Sequence, residues 1–407
     1  MSVQQGYNKT TEAIMEYFDC IIIGSGVSGM GFAQKMAEKG RKVLVLEKKE
    51  YAGGCLKTLR HEDFWLDLGG HTVYNSYKSF IESLRRINLE QGFIPREKAS
   101  FKLYRDGQIK SLMSALSKIE LALNVPKLLF VKKDGRSVRE YYSAVLGGNN
   151  YENMFSAMLQ AVISQDASDF PADMLLKKRD RDETAPRNFT LKSGMGAYID
   201  AVAALENVTV MTDSEAVDVS LADGVYTVET AKGEKFQTAD LVMACPPPVA
   251  GRLLAKAAPD VAKLLSEIGG AKVESVGVIV KKEDINVEPF SFIIAKNDDF
   301  TSAVSRDILP HPKYRGVSFH FREGALDKEG KTAKIEDVLG IDRSAITARA
   351  ETVHFSPTLG MDHKERTAKI DAALAKCKGL FIVGNYFGGI AIEDCSLRSL
   401  SESLRIK

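Results

Sequence analysis

A glycine-rich turn between two apolar runs constrains the fold of this chain more than any other feature. The runs are Cys20–Ile23 and Val43–Leu46, and neither alternates polar with apolar residues. Unbroken apolar strands of this kind are typical of parallel strands that are buried on both faces. The segment between them carries Phe32 and Met36 at helical spacing. The pattern therefore predicts a β-α-β unit, and with it an α/β fold that contains a Rossmann-like parallel sheet.

The turn itself has the spacing of a dinucleotide-binding loop, GxGxxG. The first glycine of this pattern makes a tight turn, the second lets a pyrophosphate approach the backbone, and the third lets the helix pack on the strand. Glu47 ends the next apolar run, where a carboxylate can accept hydrogen bonds from both ribose hydroxyls. The predicted phosphate-binding loop consists of Gly24, Gly26, Val27, Ser28 and Gly29.

Charge and cysteine content exclude several partners and favour one compartment. The chain has 55 Lys and Arg against 54 Asp and Glu, so its formal charge is +1 and it has no general attraction for phosphate backbones. Nucleic acid is therefore not an expected partner. The five cysteines form no CxxC pair, which favours the reducing cytoplasm. We expect neither a signal peptide nor a spanning helix, because no apolar stretch approaches about 18 residues. Peripheral contact with a membrane remains open.

Two glycine pairs follow the β-α-β unit. The first is Gly53–Gly54, followed by Cys55, and the second is Gly69–Gly70, followed by His71 and Thr72. These segments resemble the second half of the signature of the flavin-containing amine oxidase superfamily, which includes protoporphyrinogen oxidases and phytoene desaturases. The resemblance implies FAD as the cofactor, with both glycine pairs close to its pyrophosphate and its flavin.

One position departs from that signature. The superfamily usually has Arg where Cys55 stands, so one cationic contact is missing, or Lys48 or Lys57 supplies it. We expect Cys55 and Cys395 to be small buried hydrophobes, because neither has a cation and a base nearby in sequence that would favour a thiolate.

The C-terminal part of the chain is similar to the same superfamily. An apolar strand ends there in a Gly-Asn pair, and a glycine turn then opens a helix. In protoporphyrinogen oxidases such a segment meets the flavin, where the helix presents N–H groups to the ring edge that gathers negative charge on reduction. The resemblance implies cofactor contacts for Gly384, Asn385, Gly389, Ile390, Ala391 and Ile392. It also places the backbone of Val217 against the adenine.

The strand pattern and the resemblance together predict two interleaved domains. Residues 1–75, 190–255 and 350–407 form a discontinuous FAD-binding domain in this prediction. Residues 76–189 and 256–349 form an inserted α+β substrate domain that contains an antiparallel sheet.

Two stretches of the inserted domain carry separate expectations. The charged run of residues 176–187 is predicted to be an exposed linker. The helix predicted over residues 112–123 has a broad apolar face, and we expect this face to be buried against the domain, with contact to a membrane as the alternative.

Candidate catalytic residues are few, because a flavin carries the chemistry itself. His71 and Tyr74 are the candidates for contact with substrate. No Arg occurs in residues 71–77, which predicts a substrate smaller or less anionic than a porphyrinogen. His61, His311 and His320 are expected on the surface or in hairpins, and no metal-ligand spacing pairs them. His354 and His363 are expected to be packing residues without a direct catalytic role.

We predict that the chain oxidises a small or medium-sized organic molecule and passes a hydride equivalent to flavin N5. One alternative is a non-redox flavoenzyme resembling UDP-galactopyranose mutase, which would need arginines around the flavin. The sequence cannot show whether Arg306, Arg315 or Arg349 converge there. Another alternative is a protein that binds FAD or NAD without turnover. The substrate, the final electron acceptor and the oligomeric state remain open.

Overall fold

The computed structural model describes residues 15–163 and 165–406 of the chain. The strands in these ranges are β1 (Glu16–Tyr17), β2 (Cys20–Ile23), β3 (Val43–Leu46), β4 (Thr58–His61), β5 (Phe64–Asp67), β6 (Val73–Tyr74), β7 (Phe93–Pro95), β8 (Ser100–Arg105), β9 (Gln108–Ser111), β10 (Asn188–Leu191), β11 (Val208–Met211), β12 (Ala216–Ala222), β13 (Val225–Thr230), β14 (Lys235–Thr238), β15 (Asp240–Met243), β16 (Gly270–Lys281), β17 (Phe290–Ala295), β18 (Phe300–Ser305), β19 (Tyr314–Arg322), β20 (Ile346–Pro357) and β21 (Leu380–Ile382). The helices are α1 (Val27–Glu38), α2 (Lys78–Arg86), α3 (Lys118–Asn124), α4 (Val138–Leu146), α5 (Gly148–Asn150), α6 (Ser156–Ile163), α7 (Gly196–Ala203), α8 (Pro247–Leu254), α9 (Pro259–Ser266), α10 (Lys328–Leu339), α11 (His363–Leu374) and α12 (Ile392–Ser403).

Five parallel strands form the predicted sheet, in the order β11-β3-β2-β15-β21. Alternate side chains of β2 enter opposite cores. Ile21 and Ile23 pack in the core that holds α8, α9 and α11, whereas Cys20 and Ile22 pack in the core that holds α1 and α7. Both faces of the sheet are covered, and this is why its strands carry apolar residues without alternation. The predicted α/β fold is confirmed.

A second large sheet has seven strands in the order β20-β16-β19-β18-β17-β8-β9. Neighbouring strands are antiparallel except β8, which runs parallel to β17. Asp106 and Gly107 make the predicted hairpin turn between β8 and β9, with φ of 53° and 72°. Positive φ at both central positions is typical of a type I′ turn. α10 packs on one face of this sheet, and β5 packs on the other through Phe64 and Leu66.

The predicted domain boundaries do not all coincide with the ends of these elements. Residue 350 lies inside β20, which pairs with β16 over its whole length and so belongs to the antiparallel sheet. α2, predicted in the substrate domain, places Phe80 and Ile81 in the core of α1 and α7 instead. Residues 1–14 of the first predicted segment lie outside the described residues. The division into two domains remains a prediction.

The stretch that follows β9 is exposed, so its predicted burial is wrong. Two 3₁₀ turns, Leu112–Ala115 and Val125–Leu129, flank α3, and none of the three contains a buried residue. Ile119 is 77% exposed, and Phe130 is 82% exposed. The apolar spacing is present in the sequence, but spacing does not show whether another element covers the face. Residues 117–130 are called the exposed apolar segment below. No helix in the described residues is long and apolar enough to cross a membrane.

Candidate functional site

A cavity of about 1190 Å³ lies at the carboxyl ends of the parallel strands. Its walls come from the ends of β2, β3 and β15 and from strands of the antiparallel sheet, including β17 and β20. Ligands of open α/β sheets bind at this edge, where the strand order reverses. The volume exceeds the roughly 300–1,000 Å³ of most small-molecule sites, so the cavity has room for a dinucleotide and a second molecule.

The predicted glycine loop forms one end of the cavity, called the nucleotide end below. Gly24 has a φ of +108°, and a Cβ added there would lie 2.6 Å from the carbonyl oxygen of Ala244. A Cβ added at Gly29 would lie 2.0 Å from the carbonyl oxygen of Gly24. Gly26 lines the cavity, yet apart from its chain neighbours no atom of the described residues lies within 4 Å of a Cβ added to it. The fold needs Gly24 and Gly29 for its own packing, whereas Gly26 leaves space for a ligand.

The first turn of α1 faces the same space. Val27 and Ser28 line the cavity, no side chain among the described residues caps the helix, and its first turn contains no acidic residue. The first N–H groups of an α-helix have no partner within the helix, and the helix dipole places positive charge beside them. This end of α1 is therefore suited to bind phosphate.

Glu47 connects the loop to the end of β3 and is 8% exposed. Its Oε2 accepts hydrogen bonds from the backbone N–H of Ser25 at 3.1 Å and from the Ser25 hydroxyl at 2.6 Å. Its Oε1 accepts from the backbone N–H of Lys49 at 3.0 Å. Lys48 lines the cavity beside it, whereas Lys57 places its Nζ 3.6 Å from the centre of the Tyr51 ring. Of the two lysines considered for the missing cation, Lys48 is the one at the cavity.

The two glycine pairs lie side by side behind the loop. The predicted residues that line the cavity here are Gly54, Cys55, Gly69 and Gly70. Gly53 is not among the lining residues, and its N–H donates to the carbonyl oxygen and the hydroxyl of Ser25, both at 3.1 Å. Gly70 donates its N–H to the carbonyl oxygen of Cys55 at 3.0 Å. Desolvation raises the pKa of the Cys55 thiol, but the residue is half-buried at the cavity wall, so its expected role as a small buried hydrophobe remains a prediction.

The C-terminal segment reaches the cavity from the opposite side. The predicted residues that line it here are Gly384, Asn385, Ile390, Ala391 and Ile392, and Tyr386, Asp394 and Cys395 line it as well. A Cβ added to Gly70 would lie 3.4 Å from Cδ1 of Ile392, so the second glycine pair and the start of α12 are neighbours. Gly389 lies behind the wall with a φ of +137°, and a Cβ added there would lie 2.7 Å from Oδ2 of Asp394. Asp394, rather than a ligand, limits that position.

Asp394 binds two cationic side chains at this wall. Its Oδ1 accepts hydrogen bonds from Lys177 at 3.1 Å and from Arg179 at 2.8 Å, and its Oδ2 accepts from the backbone N–H of Ala391 at 3.3 Å. Arg179 is 17% exposed. Both cations belong to the run predicted to be an exposed linker, so that prediction is wrong here. The cause is the buried carboxylate, which needs opposite charge beside it.

Val217 does not line the cavity. Its side chain is 45% exposed, while its neighbours Glu215 and Ala216 form part of the wall. The pairing of β12 with β13 shifts register between Ala216 and Asp218, and Val217 lies at that irregularity. Such a bulge redirects the side chains next to it. Ala216 lines the wall here, and the contact of the Val217 backbone with the adenine remains a prediction.

The two candidate catalytic residues both line the cavity. Nδ1 of His71 lies 2.8 Å from the carbonyl oxygen of Gly69, so Nδ1 carries the proton and Nε2 is the acceptor. Burial, with a smaller effect of Arg96, lowers the pKa of His71 to about 4, and the imidazole is neutral at pH 7. Tyr74 is 46% exposed, and its ring lies edge-on to Tyr77 with 5.5 Å between centroids. Tyr74 therefore lies where the cavity meets solvent.

Two further histidines line the cavity, and the sequence analysis placed neither of them there. His320 is 7% exposed, and its Nδ1 lies 2.8 Å from the hydroxyl of Ser275. His354 has a buried Nδ1 without a hydrogen-bond partner in the described residues. Burial lowers the pKa of His320 to about 3 and that of His354 to about 4. The expected surface position of His320 is wrong, because β19 is an inner strand of its sheet.

The far end of the cavity, called the substrate end below, has an apolar wall. Its lining residues include Phe101, Met158, Ala161, Val162, Phe292 and Ile294. The rings of Phe101 and Phe292 are stacked with 6.1 Å between centroids. Phe101 is 52% exposed, so this end also opens to solvent. Sequence reasoning missed these residues because β8, α6 and β17 are far apart in the chain. Only the alternation of Phe292 and Ile294 along one strand pointed to a shared face.

Arg96, which follows β7, is another lining residue that the sequence analysis missed. Its Nη1 donates to the hydroxyl of Thr72, and its Nη2 lies 3.5 Å from the hydroxyl of Ser291. Its Nε is buried and has no partner in the described part of the chain. Burial lowers the pKa of this guanidinium.

The three arginines required by the alternative sugar-nucleotide activity do not converge. Arg315 pairs with Asp307 at 2.6 Å, and Arg349 pairs with Glu351 at 2.7 Å. The guanidinium of Arg306 lies 4.3 Å from the centre of the Trp65 ring. None of the three is a lining residue of the cavity in the described ranges.

The sequence of this chain matches the model of a known protein family. The model for flavin containing amine oxidoreductases matches residues 27–286, which is more than half of the chain. The protein therefore belongs to the flavin-containing amine oxidoreductase family, and FAD is its cofactor. The site fits this group: the space beside Gly26, the uncapped start of α1 and the carboxylate of Glu47 lie together at the nucleotide end.

Curated relatives match over short segments. All-trans-retinol 13,14-reductase of Danio rerio is 37% identical over 71 residues, which are 17% of this chain and 11% of that protein. The flavin-containing amine oxidase A of Bos taurus is 34% identical over 87 residues, which are 21% of this chain and 16% of that protein. The matched part thus spans a small share of the length of these relatives.

Solved structures match over nearly the whole chain. A provisionally named protoporphyrinogen oxidase from Exiguobacterium sp. 255-15 has a TM-score of 0.75 at 15% identity, covering 96% of this chain and 98% of that one. A fatty acid isomerase from P. acnes that produces CLA has a TM-score of 0.73 at 14% identity, with coverage of 96% and 98%. At these identities the likeness shows the fold.

Proposed function

We propose that this protein is an FAD-dependent oxidoreductase that acts on an organic small molecule. The observation that carries the proposal is the continuity of the cavity, whose wall runs from Gly26 at the nucleotide end to Phe292 at the substrate end. A cofactor at one end and a substrate at the other would share a single space. A protein that only stores FAD has no need for the second, apolar end.

Bound FAD supplies the acceptor for a hydride equivalent. The residues of this chain then have to bind the substrate, exclude water and form hydrogen bonds to the polar groups of the substrate. Phe101 and Phe292 provide an apolar wall for the substrate. His71 is neutral at pH 7 and its Nδ1 is bonded to Gly69, so its Nε2 can accept a hydrogen bond from the substrate.

The test uses the purified protein with the cofactor it retains. We expect a yellow protein from which heat releases FAD, and we expect its visible absorbance to bleach when an oxidisable substrate is added without oxygen. Panels of organic acids, amines and alcohols serve as substrates, and a redox-inert sugar serves as control. A colourless protein that retains NAD, or a flavin that no member of the panels bleaches, would contradict the proposal.

The sugar-nucleotide alternative has a distinct readout. Because Arg306, Arg315 and Arg349 lie outside the cavity wall, and Arg179 in the wall is paired with Asp394, we expect UDP-galactose to leave the absorbance and the thermal stability of the FAD-loaded protein unchanged. Strong stabilisation by that nucleotide would favour the alternative.

We also propose that the protein works in the cytoplasm and touches membranes through the exposed apolar segment. All five cysteines are free thiols, as in a reducing compartment. Ile119 and Phe130 are exposed, and Lys118 and Lys127 lie in the same segment, so both apolar and cationic groups are available to an anionic lipid surface. We expect co-sedimentation with phosphatidylserine vesicles, and weaker binding after Phe130→Ser. Equal recovery with and without vesicles would contradict the membrane contact.

A further inference from the structure

The guanidinium of Arg96 has one edge in use and one edge without a strong partner. Nη1 is occupied by the hydroxyl of Thr72. Nε has no partner in the described residues, and Nη2 has only the long 3.5 Å contact to Ser291. The N–H bonds of Nε and Nη2 point to the same side of a guanidinium, with a spacing that matches the two oxygens of a carboxylate.

The acidic residues of the cavity wall cannot supply that carboxylate, because each already has partners. Asp394 is bound by Arg179 and Lys177, and Glu47 is bound by backbone N–H groups. The remaining pairs are Glu215 with Arg252, Glu274 with Lys331, and Glu323 with Lys272. Arg96 has no acidic partner within residues 15–163 and 165–406, so it adds an uncompensated positive charge to the wall.

The position of this charge connects it to the substrate end. Ser291, which the guanidinium approaches, precedes Phe292 in β17, and Phe292 belongs to the apolar wall. A ligand that contacts both would carry its negative group where the apolar wall begins. Arg96 is partly buried, and a partly buried cation without an opposite charge has a desolvation cost that a bound anion reduces.

We propose that Arg96 is the carboxylate-binding residue of the substrate end and that the substrate is an organic acid with an apolar body. This inference rests on the proposed oxidoreductase function and specifies its substrate class. A single guanidinium with a free edge fits one carboxylate rather than the several of a porphyrinogen. It also disfavours a cationic amine, because like charges repel at short range.

The experiment measures binding, so that it does not depend on turnover. The FAD-loaded protein is titrated by calorimetry with dodecanoate, dodecanol and dodecylamine, which share one apolar chain. We expect dodecanoate to bind at least about tenfold more tightly than dodecylamine. Arg96→Met is expected to weaken dodecanoate binding by about 10- to 100-fold and to leave dodecanol binding nearly unchanged. Arg96→Lys keeps the charge and loses the paired N–H edge, so its dodecanoate affinity is expected to lie between those of the wild type and Arg96→Met.

Arg105→Met is the matched control, because Arg105 lies at the end of β8 with its side chain 44% exposed. Its dodecanoate affinity is expected to stay within about twofold of the wild type. Equal affinity for acid and amine, or an unchanged dodecanoate affinity in Arg96→Met, would overturn the assignment. So would loss of FAD from Arg96→Met, since Arg96 would then bind the cofactor. A wild-type protein without any flavin would instead overturn the proposed function, which separates the two failures.

Discussion

The two ends of the cavity are built in opposite ways. At the nucleotide end, backbone atoms of a short contiguous segment face the ligand, and the absence of side chains at Gly24 and Gly26 shapes the surface. At the substrate end, side chains from strands and helices that are distant in the chain form the wall, among them Phe101, Met158 and Phe292. Backbone N–H groups recognise a phosphate whatever the neighbouring side chains are. A local pattern can therefore reveal the cofactor, whereas the substrate depends on how the chain folds.

The strongest test of the backbone-built end compares two glycines of one loop. Gly29→Ala places a Cβ against a carbonyl oxygen, so we expect it to lose FAD and about 3 kcal/mol of the free energy of unfolding. Gly26→Ala places its Cβ in open space, so we expect the FAD-free protein to stay within about 1 kcal/mol of the wild type, while FAD binds more weakly. Urea denaturation and cofactor titration measure both. Equal losses of stability in the two variants would show that the loop has no distinct ligand-facing position.

The next test concerns the carboxylate at the nucleotide end, Glu47. Glu47→Gln keeps the shape of the side chain and removes the charge that Ser25 and Lys49 N–H groups contact. We expect the dissociation constant of FAD to rise about tenfold or more, because hydrogen bonds to a charged group are among the stronger ones. Glu50→Gln, on an exposed side chain three residues further on, is the control. An unchanged constant in Glu47→Gln would show that backbone alone holds the nucleotide.

The next test is a pH titration of stability that concerns His320, a histidine of the cavity wall. His320 has a folded-state pKa of about 3, well below its ordinary 6.5. Below about pH 6.5 this histidine is protonated in the unfolded chain but not in the folded chain. The free energy of unfolding therefore falls as the pH drops from 6.5 towards 4. His320→Gln removes this contribution, so we expect it to reduce the loss of stability between pH 7 and 4.5 by on the order of 2 kcal/mol.

The control for that titration is His61→Gln, at a position that does not line the cavity in the described residues. Thermal unfolding followed from pH 7 to 4.5 gives the required slopes. The same slope in the wild type and in His320→Gln would mean that this imidazole is not the source of the acid sensitivity.

The smallest change in stability is expected for apolar side chains that are exposed and line no cavity. Phe130→Ser, in the exposed apolar segment, should change the free energy of unfolding by less than about 0.5 kcal/mol. Ile294→Ala, at a fully buried residue of the substrate end, should cost about 2–5 kcal/mol. Chemical denaturation of both variants provides the comparison. A large loss in Phe130→Ser would show that another part of the chain covers the segment.

Much of the nucleotide end could be predicted because its determinants are local. The glycine spacing, the apolar strands on either side of it and the position of Glu47 are all visible within one short stretch. Gly389 shows the limit of this approach, since the pattern marks the position but not its cause, which is the carboxylate of Asp394. Val217 shows another limit, because no local pattern predicts the bulge beside Ala216 that turns the Val217 side chain towards solvent.

The substrate end escaped prediction for a different physical reason. His320 lines the cavity because β19 pairs on both sides with β16 and β18, and this pairing joins residues that are distant in sequence. Arg96 lines it because β7 pairs with β10, which lies far along the chain. Neither residue belongs to a local pattern. Only the assembled sheets show that they share a wall.

The strand order of the parallel sheet also determines when, during translation, the sheet can be completed. β2 and β3 are made first, yet β15 pairs beside β2, and β21 pairs beside β15 at Leu380–Ile382. At about 5–20 residues per second, a ribosome needs on the order of 20–70 s to proceed from the end of β3 to the end of β21. Throughout that interval the nascent chain presents the unpaired edge of an apolar strand, which is a template for association with other chains. The growing chain is therefore most in need of a chaperone before Ile382 has been added.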